Sequence, residues 1–163
     1  MLGAVSHSKI APDVPTLLER LAPLRRSGGR VVFTNGCFDL IHPGHVRYLA
    51  AARALGDTLV VGLNGDASVR RLKGPPRPIL SLAERAEVLA ALAAVDHLIA
   101  FDDDTPLGLI IAIRPAVLAK GADWEERDIA GAAEVRGWGG RVEGITLVPG
   151  VSTSELLRRI RET

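Results

Sequence analysis

The sequence predicts an α/β fold, a doubly wound sheet of five parallel strands with helices on both faces. Short apolar runs that suit buried strands alternate along the chain with stretches of helical spacing, and short polar connections join them. The run at 58–63 is apolar almost throughout, which is typical of a parallel strand covered on both faces. The length of 163 residues suits one such domain at 30–163, preceded by an arm and a helix at 1–29.

Each element follows from a local pattern. Leucines at helical spacing predict the first helix, and Gly28 and Gly29 end it before the first strand. The first half of the chain is expected to hold a loosely held arm at 1–12, a helix at 15–26, a strand at 31–33, a helix at 46–55 after the histidine turn, a strand at 58–63, a helix at 67–72 and a loop at 73–78. The second half is expected to hold a helix at 82–94, a strand at 97–101, a helix at 106–113, a strand at 116–119, a helix at 130–138, a strand at 141–148 and a last helix capped at 152. Short connections of this kind imply right-handed crossovers and one parallel sheet, which is a Rossmann-like arrangement.

Hydroxyl side chains mark three of the helix starts. Ser81, with Glu84 three residues later, has the pattern of a capping box. We expect Thr105 to cap the helix at 106–113 and Ser152 to cap the last helix. The segment K-G-P-P-R-P at 73–78 is too rich in proline and glycine for regular structure, so it is predicted to be a loop over the sheet edge.

Composition excludes several classes of protein. The formal net charge is +1, which gives no electrostatic reason to expect nucleic acid or an anionic membrane as a partner. The single cysteine, Cys37, rules out an internal disulfide and fits a reducing compartment. Prolines and an aspartate interrupt any signal-like stretch near the N-terminus, and no window has the roughly 18 apolar residues of a membrane span. We therefore expect a cytoplasmic protein.

The stretch at 30–48 carries the strongest functional signal. A buried strand leads into the polar turn T-N-G, and H-P-G-H follows at a predicted helix start. Pro43 suits the first helical position because it needs no hydrogen-bond acceptor there. His42 and His45 are three residues apart, so both imidazoles can face one point, and Gly44 leaves that point unobstructed. The first-turn N–H groups and the helix dipole favour an anion at the same place, so we predict a phosphate site.

Two other interpretations of this histidine pair remain open at this stage. A purely structural role is one of them. A metal pair is the other, although no cysteine and no further nearby histidine completes a zinc set. The sequence has neither a Walker A loop nor a dinucleotide fingerprint, so phosphates must be held in some other way.

A resemblance to a known family rests on these residues and on others spread along the chain. The segment T-N-G-C-F-D-L-I-H-P-G-H resembles the signature of the nucleotidylyltransferase superfamily, which joins a nucleoside triphosphate to a small phosphorylated acceptor. The segments R-L-K-G, F-D-D-D-T-P, K-G-A-D-W and G-V-S-T-S make the stretch from 30 to about 160 similar to the D-glycero-D-manno-heptose 1-phosphate adenylyltransferases. Some relatives carry a fused sugar kinase, which we do not expect in the 30 or so residues before the match.

The resemblance implies a role for each matching residue. The expected catalytic residues are His42, His45 and Lys73. The expected nucleotide-binding residues are Thr34, Asn35, Gly36, Cys37, Phe38, Gly44, Lys120, Gly121, Ser152, Thr153 and Ser154. The expected acceptor-binding residues are Asp39, Arg77, Asp123 and Trp124. The family further implies ATP and heptose 1-phosphate as substrates, Mg²⁺ held mainly through the ATP phosphates, no metal ligands on the protein, and a homodimer.

Some of these residues also have a plain structural interpretation. Asp39 suits a carboxylate that accepts backbone N–H bonds, Ser152 is in any case a helix cap, and Trp124 suits a half-buried surface ring. The three aspartates at 102–104 suit a solvated turn better than a metal site.

One departure concerns the phosphate site. Cytidylyltransferases for glycerol phosphate carry an arginine shortly before the S-T-x segment, whereas Leu147, Val148 and Pro149 stand here. This departure leaves one phosphate cation unaccounted for, with Lys73 or Arg77 as candidates. A cytidylyltransferase for a polyol phosphate and a non-catalytic nucleotide-binding regulator remain the alternatives.

Overall fold

The computed structural model describes residues 7–162 and contains a six-stranded, fully parallel sheet. Its strands are β1 (Ile10–Ala11), β2 (Val31–Gly36), β3 (Thr58–Asn64), β4 (His97–Phe101), β5 (Val117–Gly121) and β6 (Arg141–Ile145). Their order across the sheet is β1-β4-β3-β2-β5-β6. From β2, the strands β3 and β4 follow on one side of the sheet, and the chain then crosses to place β5 and β6 on the other side of β2. The strand order therefore reverses between β2 and β5.

Within residues 7–162, seven α-helices connect and cover these strands. They are α1 (Val14–Arg26), α2 (Pro43–Arg53), α3 (Asp66–Lys73), α4 (Leu82–Ala91), α5 (Leu107–Ile113), α6 (Ala132–Gly137) and α7 (Thr153–Arg161). The same part of the chain has short 3₁₀ turns at His7–Lys9 and Glu126–Asp128. Among the described residues, no helix is long and apolar enough to cross a membrane.

The core forms two layers, one on each face of the sheet. Phe33 of β2 points into the layer built by α1, α5 and α6, while its neighbour Val32 points into the layer built by α2 and α4. Both side chains are fully buried. This alternation follows from the two-residue period of a strand, and it makes β2 the centre of both layers.

The predicted strand count of five is wrong because β1 adds a sixth strand. The first dozen residues were predicted as a loose arm, yet residues 7–11 form a 3₁₀ turn and a strand that pairs in parallel with Leu98 and Ile99. Residues 1–6 lie outside the described part of the chain. A two-residue strand has too few side chains to show a period, so its pairing could only emerge from the three-dimensional structure.

Several predicted boundaries also shift. Thr105 does not cap α5, because the helix begins at Leu107 and Pro106 occupies the cap position without a side-chain hydrogen bond. The last strand ends at Ile145 rather than 148, since its partner β5 ends opposite it at Gly121. The capping box at Ser81 and the Ser152 cap are confirmed.

Candidate active site

The carboxyl ends of β2, β3 and β5 open onto one cleft of about 700 Å³. It lies at the point where the strand order reverses, which is where parallel α/β sheets bind ligands. Of the residues expected to form a site, those that line this cleft are Asn35, Gly36, Cys37, Phe38, Asp39, His42, Gly44, His45, Lys73, Arg77, Lys120, Gly121, Asp123, Trp124, Ser152, Thr153 and Ser154. The exception is Thr34, which is fully buried beneath the cleft.

The two histidines stand at the start of α2, as the sequence predicts. His42 is the N-cap residue, and its Nδ1 accepts a hydrogen bond from the backbone N–H of His45 at 3.4 Å. The two rings stack with centroids 3.7 Å apart and planes 22° from parallel. A Cβ on Gly44 would lie 3.0 Å from the His42 ring, so glycine is what allows this close packing.

The electrostatic surroundings keep both rings neutral at neutral pH. Burial lowers the pKa of His42 below its ordinary value. Burial, together with the neighbouring His42, lowers the pKa of His45 to about 4. The edge of Phe38 also packs against His45, and the buried Nδ1 of His45 has no hydrogen-bond partner among the described residues. Neutral imidazoles in this position can donate to phosphate oxygens without first gaining a proton.

The turn between β2 and α2 has an unusual backbone. Phe38 has φ 45° and Leu40 has φ 52°, both in the left-handed region that non-glycine residues rarely adopt. Two such residues within three positions cost free energy, and strain of this kind concentrates at functional sites. The surrounding hydrogen bonds must hold the turn in place.

Asp39 supplies those hydrogen bonds. Its buried carboxylate accepts from the backbone N–H groups of Ile79 and Leu80 at 2.7 and 3.0 Å and from Arg77 Nε at 2.7 Å. Its backbone carbonyl accepts from the Thr153 hydroxyl at 2.7 Å. Burial opposes ionisation, but these donors outweigh it and lower the pKa of Asp39 below its ordinary value. One residue therefore ties together the histidine turn, the loop after α3 and the start of α7.

A second set of contacts forms the floor of the cleft between β2 and β5. The Tyr48 hydroxyl lies 2.8 Å from Thr34 Oγ1 and donates to the carbonyl of Ala119 at 3.2 Å. Burial raises the pKa of Tyr48 to about 12, so its phenol stays protonated. Above this floor, Lys120 Nζ donates to Asn35 Oδ1. These contacts fix the spacing of the two strand ends that flank the cleft.

Comparison with known proteins now identifies the family. The sequence model of the cytidylyltransferase-like family matches residues 33–159. The chain belongs to the cytidylyltransferase-like family. The matched span contains the histidine turn, the floor of the cleft and the start of α7, so the geometry described above is that of a cytidylyltransferase-like domain.

Curated relatives of this cytidylyltransferase-like chain agree over most of its length. It is 56% identical over 148 residues to the bifunctional protein HldE of Methylobacillus flagellatus, which covers 91% of the chain and 30% of the relative. It is 57% identical over 168 residues to HldE of Geotalea uraniireducens, which covers 99% and 34%. The chain therefore spans about a third of the length of the curated relatives it matches.

Solved structures give the same fold. The lipopolysaccharide core biosynthesis protein from Thermoplasma volcanium GSS1 is 28% identical, with a TM-score of 0.61 over 74% of this chain and 98% of that one. A pantoate–β-alanine ligase from Francisella tularensis, at 12% identity and a TM-score of 0.58, covers 94% of this chain and 78% of its own, and shares the fold.

A buried arginine organises the site of this cytidylyltransferase-like domain from below. Arg85 is 0% exposed and donates to the carbonyls of Cys37 and Asn64 at 2.7 and 2.8 Å, and to Leu80 at 3.1 Å. It also pairs with Asp66 at 2.7 Å. From the sequence, Arg85 was expected to orient the loop or a dimer interface and was not named as a site residue, because a single arginine in a helix has no distinguishing pattern. Its position shows that the ends of β2 and β3 share one support.

Further cleft residues were missed by the sequence analysis. Tyr48 stands three residues after His45, so the helical spacing contained a usable signal. Asn64 ends β3 beside the end of β2, which the predicted parallel order could also have indicated. Five others lie in the segments that carry the resemblance but were not named as site residues: Leu72, Asp104, Thr105, Pro106 and Val151. The remaining ones are Asp128, Ile129, Ala130, Leu147 and Val148.

The rim of the cleft is more open than its floor. Trp124 is 56% exposed, which leaves its ring free to stack on a ligand. In the turn at 102–104, Arg71 pairs with Asp104 and also donates to the carbonyl of Asp102. Within residues 7–162 no group of three or more His, Cys, Asp or Glu side chains is arranged to hold a metal ion. These contacts give the aspartate turn a structural role.

Proposed function

We propose that the domain transfers AMP from ATP to heptose 1-phosphate and releases ADP-heptose and pyrophosphate. The observation that carries this proposal is the neutral, stacked pair of His42 and His45 at a helix start beside the strand-order switch point. The choice of a heptose acceptor draws support from the R-L-K-G, F-D-D-D-T-P and K-G-A-D-W segments and from the identity of 56–57% to HldE proteins.

The proposed reaction is an in-line displacement at the α-phosphorus of ATP. An oxygen of the acceptor phosphate forms the new bond, the bond to the bridging α–β oxygen breaks, and pyrophosphate leaves with that electron pair. The acceptor phosphate is already nucleophilic, so positioning and charge stabilisation supply the catalysis and no covalent enzyme intermediate is needed.

This chain has suitable groups for each part of that task. Neutral His42 and His45 donate hydrogen bonds to oxygens that gain charge in the transition state. Lys73, the last residue of α3, brings a positive charge to the leaving phosphates from the rim of the cleft. The start of α7 adds free backbone N–H groups and the hydroxyls of Ser152 and Ser154, which suit a triphosphate, while the Thr153 hydroxyl is engaged by the Asp39 carbonyl.

We propose Mg²⁺ as the counter-ion of the reaction. The carboxylates that line the cleft are not clustered, and Asp39 is already saturated by protein donors. The donor set therefore fits an ion that is held by substrate oxygens, with few or no direct protein ligands. When bound there, Mg²⁺ would neutralise charge on the triphosphate and the departing pyrophosphate.

One assay tests the function against its alternatives. The purified protein is incubated with Mg²⁺, either ATP or CTP, and heptose 1-phosphate or glycerol 3-phosphate, and pyrophosphate is followed. We expect release with ATP and heptose 1-phosphate and ADP-heptose as the second product. Release only with CTP and glycerol 3-phosphate would replace the proposal with a polyol-phosphate cytidylyltransferase. ATP binding without release from any pair would indicate a nucleotide-binding regulator.

We also propose that the domain works in the cytoplasm as a homodimer, without nucleic acid or membrane as a partner. The single cysteine and the need for ATP support the compartment. Support for the dimer comes from α7, which has no buried residue although it carries Leu156, Leu157 and Ile160, the last 67% exposed. Sedimentation equilibrium would distinguish a dimer from a monomer.

A further inference from the structure

The ammonium group of Lys120 stands inside the cleft and faces a neutral partner. Lys120 lies near the end of β5, and its Nζ donates to the amide oxygen of Asn35 on β2. Burial lowers the pKa of Lys120 to about 8, and only the Cys37 thiol acts in the opposite direction. An amide oxygen satisfies one of the three N–H donors but does not balance the charge.

Other cations that line the cleft are placed differently. Arg77 pairs with Asp39, and the two side chains are 12% and 0% exposed, so its charge is already neutralised inside the protein. Lys73 is exposed at the end of α3, where water stabilises its charge. Among the lysines and arginines of residues 7–162 that line the cleft, Lys120 is the one that is both desolvated and without a carboxylate partner.

We propose that Lys120, which the resemblance implies as a nucleotide-binding residue, instead binds the phosphate group of the acceptor and is the phosphate cation the sequence left unaccounted for. It lies between the end of β2, which leads to the histidine turn, and the segment at 121–124, where we place the sugar. A phosphate bound there would reach the α-phosphorus from the β5 side. The inference deepens the proposed function and rests on it.

The chemistry of the site favours a phosphate dianion over a neutral ligand. A desolvated ammonium gains most from an opposite charge within about 4–6 Å, which also raises its pKa by 1–3 units. Cys37 interacts electrostatically with Lys120, and the other titratable groups that line the same cleft are Asp39, His42, His45, Tyr48, Lys73, Arg77, Asp104, Asp123 and Asp128. The His45 imidazole and the Tyr48 phenol are neutral at pH 7, so neither brings a second positive charge to the phosphate.

Nuclear magnetic resonance of the lysine side chains provides a direct test that does not depend on turnover. The sequence contains three lysines, at positions 9, 73 and 120, so the three ¹³Cε signals can be assigned with single substitutions. We expect the pKa of Lys120 to rise by about one unit or more when heptose 1-phosphate is added, and to rise with inorganic phosphate at higher concentration. Lys9, which donates to the Leu92 carbonyl away from the cleft, should not respond.

The ligands distinguish the source of the phosphate. A rise in the pKa of Lys120 with heptose 1-phosphate, and a clearly smaller one with ATP alone, supports the proposal. If ATP alone raises the pKa of Lys120 and heptose 1-phosphate does not, Lys120 binds the nucleotide and the proposal is overturned. The absence of any rise would also overturn it.

Kinetic variants complete the test. We expect Lys120→Met to raise the KM for heptose 1-phosphate about 10- to 100-fold, the scale of a hydrogen bond to a charged group, with a much smaller change in the KM for ATP. In the wild type, kcat/KM for the acceptor should fall as pH rises through about 8, because Lys120 then loses its proton. Lys120→Met should lack this decline, and Lys120→Arg should move it upward.

Lys9→Met is the control variant, because it removes a lysine outside the cleft and should keep both KM values. If the wild type forms no ADP-heptose, the proposed function fails, and the NMR titration with inorganic phosphate still reports on Lys120. If the wild type is active and Lys120→Met keeps the acceptor KM and the alkaline decline, the role of Lys120 fails alone.

Discussion

At the scale of single residues, the tautomer of His42 decides what the histidine pair can do. Its Nδ1 accepts the backbone N–H of His45, so the proton of a neutral His42 ring must be on Nε2. Burial lowers the pKa of both rings, and the neighbouring His42, stacked at 3.7 Å, lowers that of His45 further. The pair is therefore suited to donate hydrogen bonds and unsuited to act as an acid near neutral pH.

Removing either imidazole should affect turnover strongly. We expect His42→Ala and His45→Ala each to lower kcat by roughly 10²–10³, the scale of losing one donor to a developing charge. Pyrophosphate release under saturating substrates measures this. His97→Gln is the matched control, because His97 lies on β4 and does not line the cleft. Wild-type turnover in both alanine variants would place the chemistry elsewhere.

The lowered pKa of His45 also predicts a pH dependence of stability. An unfolded histidine binds a proton below about pH 6.5, whereas folded His45 does so only near pH 4. Between these values the unfolded state holds more protons, so stability falls as the pH falls. The contribution of His45 to the free energy of unfolding should drop by roughly 2 kcal/mol from pH 7 to pH 4.5.

Urea denaturation at the two pH values measures this effect. His45→Gln, which cannot titrate, should lose less stability than the wild type on acidification. Equal losses of stability in the two proteins would show that burial does not lower the pKa of His45.

Residue patterns predicted the cap histidines and the Ser81 capping box because each depends on neighbours within one helical turn. They could not predict that Arg77 would pair with Asp39, 38 positions away. From the sequence, Lys73 or Arg77 was expected to be the missing phosphate cation. That assignment remains a prediction, and the neutralised charge of Arg77 makes Lys120 the better candidate.

At the scale of elements, the loop between α3 and α4 is held by two buried side chains, Asp39 and Arg85. Asp39 binds the backbone N–H groups of Ile79 and Leu80 and the side chain of Arg77, while Arg85 donates to the carbonyl of Leu80. The loop follows Lys73 directly, so its attachment sets how that lysine approaches the cleft.

Removing the charge of Asp39 should release this loop. We expect Asp39→Asn to speed hydrogen exchange of the Ile79 and Leu80 amides and to destabilise the fold by about 2–4 kcal/mol, since Arg77 would be left without its buried partner. Asp104→Asn is the control, because its pair with Arg71 is exposed and should contribute less than about 1 kcal/mol. Unchanged hydrogen exchange at both amides in Asp39→Asn would show that Asp39 does not hold the loop in place.

Strands and helices with a clear hydrophobic period could be predicted from the sequence. Very short strands, and strand ends that depend on a partner strand, could not. The seven-residue run of β3 is buried throughout and was predicted almost to its ends. The two residues of β1 and the early end of β6 depend on partner strands, through the pairing with β4 and with β5. The local sequence of a strand does not indicate where its partner strand ends.

At the scale of the whole molecule, the cleft can form only when the whole domain folds as one cooperative unit. Its walls come from segments near positions 35–45, 73–77, 120–124 and 152–154, which meet only because the sheet aligns the strand ends. The helix α1 contributes no residue to the cleft, yet Leu17 and Leu21 are 0% and 1% exposed in the same core layer as Phe33. The stability of the site should therefore depend on a helix that never touches it.

Truncating Leu17 tests this dependence. We expect Leu17→Ala to lower the free energy of unfolding by about 2–5 kcal/mol while keeping a single transition with an unchanged urea m-value. Far-UV circular dichroism and tryptophan fluorescence should report the same midpoint, because α1 and the sheet share one core. Leu18→Ala is the control, since that side chain is only partly buried and should cost less. At a temperature where the variant remains folded, kcat should match the wild type. An early separate loss of helix signal would mean instead that α1 folds apart from the sheet.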